Sequence, residues 1–210
     1  ADLRAGLGER AKVNEPLAPR TTFRIGGPAD LLIEANAVPE LIDFARLAQR
    51  FDVPVFILGN GSNLLVLDGG IRGLVIEDHC EQFFLDVNSQ GRAKLHVECG
   101  ASLPGIANRM ARQGWSGLEW AIGVPGTLGG AIVGNAGAHD RCIADNILTV
   151  SILDQASLVR ELPKTELAFH YRSSRFKQTT GEIVLSADLE LVRDDPQVCI
   201  ARMNEFTEKR

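Results

Sequence analysis

Residues 123–138, Gly-Val-Pro-Gly-Thr-Leu-Gly-Gly-Ala-Ile-Val-Gly-Asn-Ala-Gly-Ala, hold six glycines, one proline and no charged side chain. Glycine costs conformational entropy in a regular element, so this density marks positions where a side chain would collide with something or where positive φ is required. Gly59-Asn-Gly-Ser-Asn63 is a second such stretch. Its consecutive backbone N–H groups, with the side chains of Asn60, Ser62 and Asn63, make a concave nest of donors suited to a phosphate or pyrophosphate. It lacks the Gly-Lys-Ser/Thr ending of a P-loop, and no G-x-G-x-x-G turn is present; a plain Asn-Gly β-turn accounts for it equally well. In the longer stretch, Thr127 and Asn135 set a hydroxyl and an amide among small residues, able to meet the edge of a flat heterocycle while backbone packs on its face. Close packing alone would also use such small residues. Two stretches of this kind in one chain point to an extended ligand such as a dinucleotide.

A third constellation is Phe169-His-Tyr-Arg-Ser-Ser-Arg-Phe176. An arginine beside a pocket binds a carboxylate bidentately or stabilises an enolate as charge develops. An isolated pair of arginines is usually an exposed loop charge, but Phe169, Tyr171 and Phe176 argue for partial burial, and a buried arginine needs an anionic partner. That reasoning singles out Arg172.

The elements around these stretches follow from hydrophobic period. Residues 31–35 read as a strand, 38–50 as a helix with Leu41, Phe44, Ala45 and Ala48 on one face and Pro39 in its first turn, and 54–58 as a strand running straight into Gly59. Residues 64–67 and 74–77 read as further strands around the turn Asp68-Gly-Gly. Residues 94–99 form a strand containing His96, and 102–113 a helix with Leu103, Ile106, Ala107, Met110 and Ala111 inward, Ser102 as cap and Gly114 just past its end. Beyond the glycine-rich stretch, 147–153 is β-like, 164–168 is one helical turn, and 183–191 alternates cleanly, as a long half-buried strand does. Cys199, Met203 and Phe206 place a helix over 196–209.

The 210 residues are 45% hydrophobic, enough for one large domain or two small ones with a real core. A net charge of -5 with scattered basic residues argues against a nucleic-acid surface. No apolar run approaches the roughly 18 residues that span a bilayer, and no secretory pattern opens the chain, so a cytoplasmic protein without membrane insertion is expected. Cys80, Cys99, Cys142 and Cys199, and the four histidines, show no metal spacing, so no metal site is expected. The absence of a long exposed apolar stripe points to a monomer. The first residue is Ala1 and the chain stops at Arg210 directly after a helix, which reads as a processed or shortened polypeptide.

Five blocks occur in order: Thr22-Phe-Arg-Ile-Gly-Gly-Pro-Ala-Asp30; Leu58-Gly-Asn-Gly-Ser-Asn-Leu-Leu-Val66; Gly117-Leu-Glu followed by Gly123-Val-Pro-Gly-Thr-Leu-Gly-Gly; Asn135-Ala-Gly-Ala; and Tyr171-Arg-Ser-Ser-Arg-Phe176. In this order the chain, over residues 18–210, resembles the bacterial UDP-N-acetylenolpyruvoylglucosamine reductases, also called UDP-N-acetylmuramate dehydrogenases. The resemblance implies an α+β fold, an FAD-binding domain of the vanillyl-alcohol-oxidase (PCMH) type built of two α+β subdomains. The organisation it implies is an N-terminal segment over 1–28, the FAD-binding domain over 29–193 with subdomains near 29–78 and 79–193, and a helix over 194–210 leading towards a substrate domain.

By the same resemblance FAD is bound non-covalently, its pyrophosphate wrapped by Gly59, Asn60, Gly61, Ser62, Asn63 and Leu64. The flavin is lined by Gly123, Pro125, Gly126, Thr127, Gly130, Asn135, Gly137 and Ile183. Tyr171, Arg172 and Arg175 bind substrate, and Arg172 is the active-site arginine that stabilises an enol intermediate. The implied partners are NADPH, as hydride donor, and UDP-N-acetylglucosamine enolpyruvate. The family's proton-donating serine, in a Gly-Ser-x-Phe-Lys-Asn-Pro motif, has no match here, so these residues alone are expected not to complete the second half-reaction. His139-Asp140 stands where many relatives have Tyr-Gly. Two other functions fit the same residues: a flavin-binding module without catalysis, and another oxidoreductase of the same flavin superfamily.

Overall fold

The computed structural model describes residues 3–209, and the chain divides into two compact units between Cys80 and Glu81. The fold is α+β, with one mixed sheet in the first unit and one antiparallel sheet in the second.

In the first unit a short helix, α1 (Leu3–Leu7), leads to β1 (Lys12–Pro16), β2 (Pro28–Ala35), α2 (Val38–Arg50), β3 (Val55–Leu58) and β4 (Ile71–Asp78). The sheet order is β1-β2-β4-β3. Only β1 runs antiparallel to its neighbour; β2 and β3 both pair with β4 in parallel. α2 forms for the reason its period gives. Leu41, Ala45 and Ala48 are buried on one face, and Pro39 occupies the first turn, where no N–H is needed. The residues before position 29, expected as a separate leading segment, supply β1 to this sheet, and Leu17 is fully buried in its core with Leu32 and Val75.

Residues 64–67, expected as a strand, are loop. Val66 is buried in the core and Leu64 packs partly against it, while Leu65 and Leu67 stay exposed. The Leu67 carbonyl accepts from the amides of Gly27 and Gly70, at 2.9 and 2.8 Å, so it closes a turn rather than a ladder. The apolar run imitated a strand without having strand partners.

The second unit contains β5 (Phe83–Val87), β6 (Arg92–Glu98), α3 (Leu103–Arg112), β7 (Trp115–Ser116), α4 (Leu128–Gly134), a hairpin of β8 (Gly137–Ala138) and β9 (Arg141–Cys142), β10 (Ile147–Leu153), β11 (Val159–Pro163), β12 (Ile183–Arg193) and α5 (Pro196–Glu208). The sheet order is β11-β10-β12-β6-β5, with β7 pairing off β12. α3 buries Leu103, Ile106, Ala107, Met110 and Ala111, as its period requires, and Ser102 Oγ accepts from the Gly105 amide at 3.3 Å as its cap.

β12 departs from the expected half-buried strand: its residues from Val184 through Leu189 are all buried. It lies between β10 and β6, and on its polar side Asp188 sits opposite His96, under hydrogen bonds from His96 Nδ1 at 2.7 Å and an ion pair with Lys94 Nζ at 3.1 Å. Polar side chains of β6 thus cover Asp188, and Val184, on the same alternation, joins the hydrophobic core instead of facing solvent. Among the described residues no helix is long and apolar enough to cross a membrane.

Candidate functional site

The Gly59–Asn63 stretch follows β3 at the carboxyl end of a parallel strand, where ligands meet open sheets. Gly61 has φ +57, and a Cβ there would lie 2.1 Å from the Arg20 carbonyl oxygen. The glycine is therefore demanded by the chain's own backbone, which passes this close because the Gly61 carbonyl accepts from the Thr22 amide at 3.1 Å. Beside the loop a cavity of about 520 Å³ is lined by Thr22, Arg24, Gly59, Asn60, Glu77 and His79, among others. Arg20 stands in its wall between Glu15, 3.0 Å away, and Glu77, so its charge is already matched. Thr22, Arg24 and Asn60 remain as the hydroxyl, cationic and amide donors that a pyrophosphate takes.

The glycine-rich stretch of the second unit is anchored at its start to the end of β6. The Leu103 amide donates to Gly126 O at 3.0 Å, Leu128 to Ala101 O at 2.9 Å and Gly129 to Cys99 O at 2.9 Å. Thr127 then caps α4, its Oγ1 accepting from the Gly130 amide at 3.3 Å. Asn135 ends the helix in the left-handed region, φ 42 and ψ 58. Both polar groups have partners inside the protein. Thr127 is buried with its oxygen used as a cap, and both ends of the Asn135 amide are spent inside the protein, Nδ2 donating to His170 O at 2.8 Å and Oδ1 accepting from the Ala144 amide at 3.4 Å. Gly137 follows, where a Cβ would sit 2.4 Å from Arg141 O across the β8–β9 hairpin.

Asn135 brings the third constellation to the second. His170 and Ser173 exchange two backbone hydrogen bonds, 2.9 and 3.1 Å, which makes Tyr171 and Arg172 the central pair of a tight turn. Arg172 has φ +54, strain of about 1 kcal/mol for a residue with a side chain. The burial expected of Arg172 is not observed. Both central residues are exposed, Tyr171 at 92%, because a two-residue turn has no inner face to bury them. The Arg172 guanidinium has no ion-pair partner among the described residues, and its carbonyl accepts from Lys177 Nζ at 2.7 Å. Arg175 is the opposite case: it is half-buried and grips Glu182 through Nη2 at 2.7 Å and Nε at 3.3 Å. Thr179 Oγ1 donates to the same carboxylate at 2.9 Å. The period reading passed over Ser174, whose hydroxyl donates to Val133 O at 2.8 Å and which is 1% exposed. A serine next to an arginine carries no periodic signal of burial. Ile183 begins β12, half-buried.

The family model described as FAD binding domain matches residues 29–162. UDP-N-acetylenolpyruvoylglucosamine reductase of Moorella thermoacetica is 41% identical over 194 residues, covering 92% of this chain and 62% of that protein. The chain thus spans about three fifths of the length of that curated relative. The crystal structure of UDP-N-acetylenolpyruvylglucosamine reductase from Thermus caldophilus superposes with a TM-score of 0.76 at 32% identity, over 95% of this chain and 68% of that one. The chain belongs to the UDP-N-acetylenolpyruvoylglucosamine reductase family. A solvent-stable cholesterol oxidase, TM-score 0.65 at 14% identity over 88% of this chain and 37% of that one, shares the fold alone. As a reductase-family chain carrying an FAD-binding domain, the protein has FAD as its cofactor, and the donors beside Gly59 have the chemistry its pyrophosphate needs.

Proposed function

We propose that this chain is the flavin-binding part of an enzyme that reduces UDP-N-acetylglucosamine enolpyruvate to UDP-N-acetylmuramate in cytoplasmic peptidoglycan synthesis, as a monomer, with non-covalent FAD and with NADPH as hydride donor. The observation that carries the reading furthest is Arg172: an exposed guanidinium without an ion-pair partner among the described residues, held in left-handed backbone and hydrogen-bonded through its turn to the end of the glycine-rich stretch. Strain of this kind persists where the surroundings over-determine it, and it concentrates at functional sites.

FAD, when bound, would supply the two-electron redox chemistry that links NADPH to the enolpyruvyl group. Gly59, Asn60, Gly61, Ser62, Asn63 and Leu64 hold the pyrophosphate, with Thr22 and Arg24 beside them. Gly123, Pro125, Gly126, Thr127, Gly130, Asn135, Gly137 and Ile183 shape the wall for the ring. Hydride addition leaves negative charge on the adjoining carbon and its carboxylate, and a fixed guanidinium stabilises that charge as it forms. Arg172 has this role, with Tyr171 next to it at the crest of the turn. Arg175, saturated by Glu182, holds the loop in place rather than meeting substrate.

The test separates the two half-reactions in the full-length protein. NADPH should bleach the visible flavin band, and UDP-N-acetylglucosamine enolpyruvate should restore it under nitrogen. Arg172→Ala should leave the bleaching rate nearly unchanged and slow the restoration by about 10²–10³. Flavin that only oxygen restores would assign the protein to another oxidoreductase of this fold.

A further inference from the structure

We propose that Ser174 and Asn135 are positioning residues that fix the Tyr171–Arg172 turn to the last turn of α4, so that the arginine and the glycine-rich wall move as one piece. The proposal rests on the reading of Arg172 as the group that meets the enolpyruvyl carboxylate.

Two tethers cross from one helix end to the two legs of one turn. Before the turn, Asn135 Nδ2 donates to His170 O at 2.8 Å; after it, Ser174 Oγ donates to Val133 O at 2.8 Å. Val133 lies in the final turn of α4, where carbonyls lack helical partners, so the Ser174 hydroxyl supplies a bond that the helix itself cannot. Both residues are buried, 8% and 1% exposed, and unmade hydrogen bonds there would be costly. A left-handed helix cap alone asks only for glycine or asparagine. The amide of Asn135 has further work, since its other end accepts from the Ala144 amide at 3.4 Å and so ties the same point to the chain beyond the β8–β9 hairpin. Between the tethers Arg172 holds φ +54, a conformation that a free arginine leaves readily. Among the described residues, Lys177 Nζ on the Arg172 carbonyl, 2.7 Å, is the one further bond to the turn's centre, and it comes from an exposed side chain. The buried pair is therefore what registers the guanidinium against the wall. A misplacement of about 1 Å at such a group costs about 10²-fold in rate.

The decisive variant is Ser174→Ala in the full-length protein, which removes one hydroxyl and little volume. NADPH-driven flavin reduction should stay within about twofold of wild type, while reoxidation by UDP-N-acetylglucosamine enolpyruvate slows by about 10–100-fold. Ser174→Ala combined with Arg172→Ala should be no slower than Arg172→Ala alone, because the serine acts through the arginine. A second readout needs neither activity nor flavin: trypsin should cleave after Arg172 at least about tenfold faster in Ser174→Ala and in Asn135→Gly, which keeps the left-handed cap, with other sites unchanged. Losses that multiply in the double variant, or an unaltered tryptic rate at Arg172, would overturn the proposal. If wild-type flavin is not reoxidised by the enolpyruvyl sugar, the functional reading fails; the tryptic comparison still decides whether the tethers hold the turn.

Discussion

Arg172 and Arg175, three positions apart, have opposite fates because of their backbone. Arg175 opens a 3-10 turn whose side chain reaches Glu182; Arg172 is the crest of a two-residue turn and reaches nothing charged among the described residues. Glu182→Gln should therefore destabilise the protein by about 1–3 kcal/mol by leaving a half-buried guanidinium without its counter-charge. Arg172→Ala should leave thermal stability unchanged or slightly raised, and a melting series of the two checks both. Gly61 makes a separate residue-scale case. Gly61→Ala places a Cβ against the Arg20 carbonyl at positive φ, so it should cost at least about 1–3 kcal/mol whether or not FAD is present. An unchanged melting temperature of flavin-free Gly61→Ala would remove that argument. Loss of flavin in such a variant reports the collapse of the loop, not a clash with phosphate.

At the scale of elements, β12 is the strand on which the antiparallel sheet turns, and its buried polar side has a pH signature. Burial alone would push the Asp188 carboxyl up, but the hydrogen bonds from His96 and Lys94 outweigh it and hold the group below the usual aspartate range. A carboxyl depressed in the folded state stabilises above its unfolded value, near pH 4, and that contribution is lost as pH falls through the lower folded value. Asp188→Asn should lower the melting temperature at pH 7 by more than at pH 3. Equal shifts at both pH values would mean that the charge does not matter. α3 is a simpler element: Met110 is fully buried on its inner face, and Met110→Ala should cost about 2–5 kcal/mol in a denaturant titration.

For the whole molecule, the four cysteines make a test of compactness. Cys80, Cys99 and Cys199 are buried and Cys142 is half-buried; burial and the nearby Glu119 and Asp194 carboxylates push the Cys199 thiol up to about 11. At pH 8 a thiol reagent should label Cys142 first and the other three only on unfolding. Four equally fast thiols in the native protein would contradict the core described above. Apolar pattern placed α2, α3, α5, β2, β3, β4, β6, β10 and β12, the helices by a buried stripe at 3.6 residues and the strands by alternation or a short apolar run. It missed α1, β1, β5 and β11 and the two-residue strands β7, β8 and β9. Phe84, at 60% exposure, and Val159, at 52%, break the alternation on edge strands, where an apolar side chain is left facing outward.

The glycine-rich stretches, the Tyr-Arg pair and the family blocks are properties of the sequence by itself, because they depend on residue type and short-range spacing. What Asn135 and Ser174 do with their polar atoms depended on tertiary structure. A hydroxyl or amide looks the same in a sequence whether it faces a ligand or a backbone carbonyl tens of positions away. Only the fold brings Asn135 to His170 and Ser174 to Val133, and only there does the left-handed backbone of Arg172 have something to hold it. Burial was likewise decided in three dimensions: aromatic neighbours could not tell Arg172 from Arg175, whereas a two-residue turn exposes one and a nearby carboxylate retains the other.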